Sequence, residues 1–414
     1  MTTTAFFSPA YPTSLHRLHE GPLGLHIDDF AARLVEQGLA RGTAKRTLRL
    51  IADLSQWLAI KGLGVDDLDE STLERYRRFR ARTLPMGFGD PTALRRFLAS
   101  MRELDICPTP PPVPLSHRSQ VEEDFRQYLL HDIGLSARTR EHYAGLLDLF
   151  LQEQMGPNGP QWSDLTGTKV LKFFRRCARQ RSAQYLQRLR TALRAFLRYL
   201  QCRGHIQADL SGCIPGVPNK SLKALPKYLC ATQVQSVLGS CDRQTAVGRR
   251  DYAILLILAR LGLRANEVSN LNLDDIDWLT GQFTLHAKGG GQAVMPLPPD
   301  VGQAICDYLK NGRPKSQSRR VFLRKNAPHV GFGRSANISA IVKIAMHRAG
   351  VDLPSKGAHV FRHTLATQML HDGASLREIG LVLRHRCPDT TRIYAKVDLP
   401  TLRLVALPWP EDAR

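Results

Sequence analysis

Residues 359–364 read His-Val-Phe-Arg-His-Thr, and residues 383–394 read Leu-Arg-His-Arg-Cys-Pro-Asp-Thr-Thr-Arg-Ile-Tyr. The two stretches bring imidazoles, a guanidinium and a phenol into the last third of the chain. An arginine suits the binding of a phosphodiester, an imidazole can carry protons, and a phenol can act as a nucleophile. The pattern therefore predicts a site that cuts phosphate esters.

Two segments upstream extend the pattern. Residues 261–268 read Leu-Gly-Leu-Arg-Ala-Asn-Glu-Val, and residues 288–291 read Lys-Gly-Gly-Gly between two strand-like runs. A lone Arg-x-x-Glu or His-x-x-Arg would be weak evidence, but four segments in a fixed order make chance a poor explanation. The candidate catalytic residues are Arg264, Lys288, His359, Arg362, His385 and Tyr394.

Together these segments resemble the catalytic domain of the tyrosine recombinases, the phage-integrase family. The resemblance covers residues 225–400 in detail and the preceding helical region more loosely. It implies a mainly α fold, with helical N-terminal domains and a mixed α/β catalytic domain that is mostly helical and carries a small antiparallel sheet. It also implies cleavage that needs neither a metal nor ATP, so no cofactor is expected.

The resemblance assigns a role to each candidate. Arg264 and Arg362 would neutralise the phosphate, and Tyr394 would attack it to give a 3′-phosphotyrosyl link. His359 would serve as general acid or base, and His385 would donate a hydrogen bond to a non-bridging oxygen. Lys288 would protonate the leaving 5′-oxygen, and the glycines after it allow a close approach to DNA.

Each assignment has a structural alternative. Arg264 could be a surface charge that Glu267 orients, Lys288 a solvated turn residue and Tyr394 a core aromatic. His359 and His363 stand four residues apart, a spacing that would also suit a metal pair, but no His-Glu-x-x-His pattern supports one.

Some positions depart from the commonest family pattern. Arg384 stands where glycine usually precedes the histidine, Phe361 replaces a leucine, and the hairpin lacks a second basic residue after its glycines. None of these changes removes a catalytic group.

The charge of the chain favours double-stranded DNA as the partner. The formal net charge is +21, from 58 basic and 37 acidic residues. A net positive charge of this size favours binding to a polyanion such as DNA, because each phosphate that the protein neutralises releases counterions. No acidic residue lies between Asp164 and Asp209, a stretch rich in arginine. Its apolar residues show helical spacing, which predicts a helix with an inward face formed by Leu189, Leu193, Phe196 and Leu197. The predicted DNA contacts are Arg175, Arg176, Arg179, Arg188, Arg190, Arg194 and Arg384.

Two linkers rich in proline and glycine divide the chain. The predicted parts are an N-terminal helical domain (1–107), a proline-rich linker (108–116), a helical SAM-like core-binding domain (117–204), a second linker (205–225) and the catalytic domain with its C-terminal tail (226–414). The first two domains look like copies of one another, since 38–51 aligns with 134–147 without a gap and 92–98 aligns with 191–197. The sequence leaves open whether the N-terminal domain contacts DNA or protein.

The function predicted from the sequence is site-specific recombination of the integrase or transposase type. By resemblance, four protomers would exchange strands through a Holliday junction, with or without partner recombinases. The alternatives are a relaxing enzyme of the type IB topoisomerase kind and a non-cleaving DNA-binding regulator with the same fold. Scattered cysteines, the lack of a signal peptide and the absence of a long apolar run predict a cytoplasmic, nucleoid-associated protein that does not enter a membrane.

Overall fold

A computed structural model describes residues 3, 6–7, 12–87, 89–109, 116–156, 159–218, 225–286, 291–353, 357–385 and 387–397. Helices dominate these residues, and the described strands are short and antiparallel, which confirms the predicted mainly α fold. The chain divides into two compact units, one formed by residues 1–109 and 225–414 and the other by residues 110–224. Within the described residues, no helix is both long enough and apolar enough to cross a bilayer.

The N-terminal part of the first unit is a set of helices around its own apolar core. These helices are α1 (Pro12–His19), α2 (Ile27–Glu36), α3 (Arg41–Ile60), α4 (Glu70–Thr83) and α5 (Asp90–Glu103). The rings of Phe30 and Phe97 meet edge to face, with centroids 4.9 Å apart. Asp69 caps the N-terminus of α4, and its carboxylate accepts a hydrogen bond from the Thr72 N–H at 2.7 Å. Such a side-chain cap satisfies a backbone donor that the first helical turn leaves unpaired.

The second unit is likewise a set of long helices around its own apolar core. They are α6 (His117–His131), α7 (Ala137–Gln154), α8 (Gly167–Gln180) and α9 (Ala183–Cys202), and a two-strand ribbon of β1 (Met155–Gly156) and β2 (Gly159–Pro160) follows α7. The face of α9 that was predicted to point inward is buried at Leu189, Leu193, Phe196 and Leu197. The segment predicted as the second linker contains a short 3-10 helix, Leu210–Cys213, and buries Ile206 and Ile214.

The two helical sets share local geometry at equivalent places. Gly38 and Gly134 both adopt left-handed φ values, +72° and +71°, just after the first long helix of each set. The next residue in each case donates its N–H back to a helical leucine carbonyl, at 3.0 Å in one set and 2.8 Å in the other. Phe125 meets Phe196 edge to face at 5.1 Å, as Phe30 meets Phe97. These features agree with the predicted duplication, which stays a prediction.

The C-terminal part of the first unit carries the candidate site. Its helices are α10 (Ala231–Gly239), α11 (Ala246–Leu261), α12 (Ala265–Asn270), α13 (Pro299–Asn311), α14 (Ala336–Arg348), α15 (His359–His371) and α16 (Leu376–Val382). The continuous run 253–258 of α11 is buried, so this helix forms the middle of the core, against which α13 and α15 pack.

A three-stranded antiparallel sheet flanks these helices. Its strands, in spatial order, are β3 (Ile276–Asp277), β4 (Gln282–His286) and β5 (Gln292–Pro296). β4 and β5 pair from Gln282 opposite Pro296 to His286 opposite Gln292, so the predicted hairpin is present. Lys288, which lies between β4 and β5 in the sequence, is outside the described residues.

Candidate active site

Arg362 is anchored at the centre of the candidate site. It lies in the first turn of α15, with only 4% of its surface exposed. Its Nη1 donates to the Gly262 carbonyl at 2.7 Å, and its Nη2 donates to the Leu383 carbonyl. Loss of water, with repulsion from Arg264 second, lowers the pKa of Arg362 to about 10. The side chain is therefore still a cation at neutral pH, in a place where water screens its charge poorly.

Gly262 supplies one of these carbonyls from a left-handed turn. It caps the C-terminus of α11 with a φ of +56°, a conformation that glycine adopts without a steric cost. A Cβ added here would lie 3.0 Å from the Cδ2 atoms of both Leu365 and Leu383. The Leu-Gly-Leu-Arg stretch therefore needs its glycine for both backbone conformation and space.

Arg264 is oriented by Glu267, one turn further along. The Arg264 N–H donates to Glu267 Oε2 at 2.8 Å, and its Nη1 donates to Oε1 at 3.0 Å. The Arg264 Nη2 also donates to the Arg384 carbonyl at 3.3 Å. The Arg264 side chain nevertheless keeps 40% of its surface exposed, so it is held in place while a ligand can still reach it.

Arg384 is turned inward. Its Nη2 donates to Glu267 Oε2 at 2.9 Å, its Nη1 lies 3.0 Å from Met295 Sδ on β5, and only 18% of the side chain is exposed. Its φ is +54°, the left-handed region, where a residue with a Cβ costs about 1–2 kcal/mol. This conformation gives a physical reason for the glycine that usually stands at this position.

The histidines lie close to the two arginines. His385 Nδ1 is 2.6 Å from Thr391 Oγ1, and loss of water, aided by Arg362 and Arg264, lowers the pKa of His385 to about 4. His359 is exposed, yet partial desolvation and the same two cations lower its pKa too. Both imidazoles are therefore held neutral at physiological pH in the absence of DNA.

Tyr394 is buried, with 1% of its surface exposed. It packs with Ala366, Ile379 and Leu383, and its hydroxyl lies 3.0 Å from His363 Nδ1. Desolvation raises the pKa of the phenol to about 12, although Arg362 acts in the opposite direction. In the free protein the hydroxyl is thus protonated and enclosed.

Four of the predicted catalytic residues, Arg264, His359, His385 and Tyr394, therefore lie around the fifth, Arg362, and the sixth, Lys288, falls outside the described residues. The sequence did not predict the contacts of Tyr394 with His363 and of His385 with Thr391. From the sequence, His363 stands out only as half of a possible metal pair with His359. In the structure, the ring centroids of these two histidines lie 6.4 Å apart. Among the described residues, no group of three or more possible metal ligands is present.

The basic residues predicted to contact DNA in the second unit differ in their surroundings. Arg175, Arg176, Arg179 and Arg188 are exposed, and Arg176 also pairs with Glu153. The remaining two, Arg190 and Arg194, are half-buried and line a groove of about 530 Å³ together with Tyr128, Tyr143 and Arg198.

Comparison with known proteins identifies the class. Residues 227–399 match the phage integrase family, and residues 123–204 match the N-terminal SAM-like domain of phage integrases. Fold and site together define an enzyme of the tyrosine recombinase class, which cleaves and rejoins DNA strands. The chain belongs to the phage integrase family.

Relatives span different shares of the chain. "Putative integrase/recombinase y4rA" of Sinorhizobium fredii is 40% identical over 405 residues, which are 97% of this chain and 98% of that protein. Tyrosine recombinase XerD of Listeria monocytogenes is 32% identical over 286 residues, which are 66% of this chain but 93% of that protein. About a third of this chain therefore has no counterpart in the alignment with XerD.

Solved structures share the fold at low identity. XerH site-specific recombinase, in a post-cleavage complex with a palindromic difH substrate, has a TM-score of 0.56 and 19% identity over 81% of this chain and 94% of that chain. A lambda integrase (75–356) dimer bound to a COC′ core site has a TM-score of 0.52 and 14% identity over 71% of this chain and 98% of that chain.

Proposed function

We propose that this chain is a site-specific DNA recombinase that cleaves each strand through Tyr394 and serves the integration or transposition of a mobile element. The observation that carries the proposal is the convergence of Arg264, His359, His385 and Tyr394 around the buried guanidinium of Arg362. We also propose that the protein acts in the cytoplasm, at the nucleoid, because its DNA substrate is there.

In this mechanism the two arginines hold the scissile phosphate. Arg362 is fixed by two backbone carbonyls and Arg264 by Glu267, so neither guanidinium has to reorganise when negative charge develops on the phosphate oxygens. A preorganised donor of this kind contributes about 3–4 kcal/mol to transition-state stability. The exposed His359 would exchange a proton with the reacting groups, and His385 would donate a hydrogen bond to a non-bridging oxygen.

Tyr394 supplies the nucleophile. Its oxygen forms a bond to phosphorus while the bond from phosphorus to the 5′-oxygen breaks, leaving a 3′-phosphotyrosyl link. The phenol proton passes to a base of the site, and the leaving oxygen takes a proton from an acid, for which Lys288 is the candidate. Because the phenol is buried and its pKa is raised, the segment 387–397 has to shift on DNA binding before attack.

We infer that the second unit provides the main hold on duplex DNA. Residues 117–204 contain 15 basic and 8 acidic residues, whereas residues 1–107 contain 15 and 13. When the alignment of 92–98 with 191–197 is extended by a few residues at each end, three arginines of the α9 region, at 188, 190 and 198, correspond to Gly89, Pro91 and Ala99. The α5 region of the N-terminal set thus lacks three of the arginines that the α9 region carries, which favours the second unit as the main hold on DNA.

Strand exchange would require several protomers, as in the lambda integrase tetramer bound to a Holliday junction. We propose the same arrangement here, with four copies of this chain on two duplexes. The relaxing and non-cleaving alternatives gain no support from the relatives, whose names are those of integrases and recombinases.

The test is covalent capture from a pool of duplexes with a randomised core. Protein is incubated with the pool and denatured, and the DNA that stays bound is sequenced. Wild type should enrich a defined sequence, Tyr394→Phe should retain none, and the half-exposed Tyr228→Phe should behave as wild type. Failure of wild type to retain any DNA above the Tyr394→Phe background would refute the proposal. Joining of two differently labelled duplexes with the enriched site then separates recombination from relaxation.

A further inference from the structure

The feature that the proposed mechanism leaves unexplained is the inward-facing Arg384. An arginine in a left-handed backbone conformation is unfavourable, and the Arg384 Nε is buried without a hydrogen-bond partner among the described residues. A side chain that served only to meet DNA would be expected to remain in solvent, where its charge is cheaply hydrated. Arg384 instead places its guanidinium between α12 and β5.

The contacts of Arg384 form a closed ring with Arg264 and Glu267. Glu267 accepts from Arg264 at 3.0 Å and from Arg384 at 2.9 Å, and Arg264 in turn donates to the Arg384 carbonyl at 3.3 Å. Both side chains that meet the carboxylate are cations, so one negative charge is shared between two positive ones.

This sharing matters for the phosphate. If Glu267 paired with Arg264 alone, the pair would carry no net charge and would attract an anion weakly. With Arg384 present, the three groups together keep one positive charge next to Arg362. The ring also links α12 to the segment that carries His385.

The contact with Met295 extends the ring to the sheet. Met295 lies on β5, the strand that follows Lys288 in the sequence. A thioether is a weak acceptor, but its contact with a guanidinium fixes the distance between β5 and the end of α16.

We propose that Arg384 is a positioning residue that orients Arg264, keeps the group of Arg264, Glu267 and Arg384 net positive, and joins α12, β5 and the His385 segment into one rigid frame. The inference rests on the proposed function, because it concerns the rate of the same cleavage step. It assigns Arg384 no contact with DNA.

The experiment uses the full chain and the duplex enriched by covalent capture, nicked so that the cleaved product accumulates. Single-turnover cleavage at saturating DNA, the dissociation constant for DNA and the melting temperature are measured for Arg384→Gly, Arg384→Met and Arg384→Lys. The control is Arg260→Met, which breaks an exposed ion pair with Asp300 in the same part of the chain.

The expected result is a split between stability and rate. Arg384→Gly relieves the left-handed strain, so its melting temperature should equal or exceed that of wild type, while its cleavage should slow by about tenfold. The dissociation constant should change by less than about twofold, since Arg384 is not a phosphate contact. Arg384→Lys should recover part of the cleavage rate that Arg384→Met loses. In a double variant with Glu267→Gln, Arg384→Met should cause little further loss of rate beyond that of Glu267→Gln alone.

Two results would overturn the inference. One is wild-type cleavage by Arg384→Gly, and the other is a loss of DNA affinity as large as the loss of rate, which would indicate that Arg384 binds phosphate directly. A wild-type protein that forms no adduct at all would instead refute the proposed function, so the two failures are distinguishable.

Discussion

The hydroxyl of Tyr394 lies 3.0 Å from Nδ1 of His363, inside the small apolar cluster formed by α15, α16 and the segment after them. The two residues are 31 positions apart, and their rings meet edge to face with centroids 5.7 Å apart. The nucleophile of the proposed reaction is thus also a member of the core.

This hydrogen bond should be measurable as a coupling energy. We expect Tyr394→Phe and His363→Phe to be non-additive, with a coupling of about 1 kcal/mol in the free energy of unfolding, because either change alone leaves one buried polar partner unsatisfied. Urea denaturation of wild type, both single variants and the double variant completes the cycle. Additive effects would show that the hydrogen bond contributes nothing to stability.

Acid should destabilise the protein through His385. Its pKa is about 4 in the folded chain and near 6.5 when unfolded, so the unfolded chain takes up a proton first as the pH falls. Stability is therefore retained above about pH 6.5 and lost towards pH 4, by an amount on the order of 2 kcal/mol.

Denaturation at pH 7.5 and 4.5 tests this expectation. His385→Asn, which cannot titrate but can still bond to Thr391, should lose less stability between the two pH values than wild type. His359 and His363, whose pKa values are also lowered, continue to contribute to the slope. The exposed His347→Asn serves as control, and an equal slope for all three proteins would contradict the assignment.

Gly262 should tolerate alanine poorly. The substitution places a Cβ in a left-handed turn and within 3.0 Å of two leucine side chains, so we expect a loss of about 2–3 kcal/mol in stability. Gly350→Ala is the matched control, since φ there is +66° and no atom of the described residues lies within 4 Å of an added Cβ, which leaves only the backbone cost of about 1 kcal/mol.

The same substitution should slow cleavage, because the carbonyl that holds Arg362 moves. A reduction of about tenfold is expected for Gly262→Ala and none for Gly350→Ala. Equal losses of stability in the two variants would mean that the leucine side chains around Gly262 are unimportant.

The arginines of α9 should govern the salt dependence of DNA binding. Replacement of Arg188, Arg190 and Arg194 by glutamine should reduce the slope of log K against log salt by about 0.9 for each phosphate that is no longer neutralised. Arg102→Gln is the control, because Arg102 pairs with Glu70 at 2.6 and 2.8 Å. If Arg102→Gln changed the slope as much as the α9 variants do, the N-terminal helices would contact DNA as well.

The sequence was sufficient for features that depend on local pattern. The hairpin around Lys288, the inward face of α9 and the order of the catalytic segments all follow from spacing and residue type. The contacts of Arg384 did not follow, because Glu267 and Met295 lie 117 and 89 positions away and only the packing of α12, α16 and β5 brings them together. The bond from His363 to Tyr394 was missed for the same reason.

Both acceptors of the Arg362 guanidinium are main-chain carbonyls, one in the turn after α11 and one at the end of α16. A carbonyl is present whatever side chain its residue carries, so this anchor is inherited with the path of the backbone. Substitutions around the turn can therefore leave the cation in place as long as the left-handed conformation at Gly262 is kept. A search for distant members of the family would do better to follow the course of the chain at these two points, with a glycine at the first, than the identity of the other residues there.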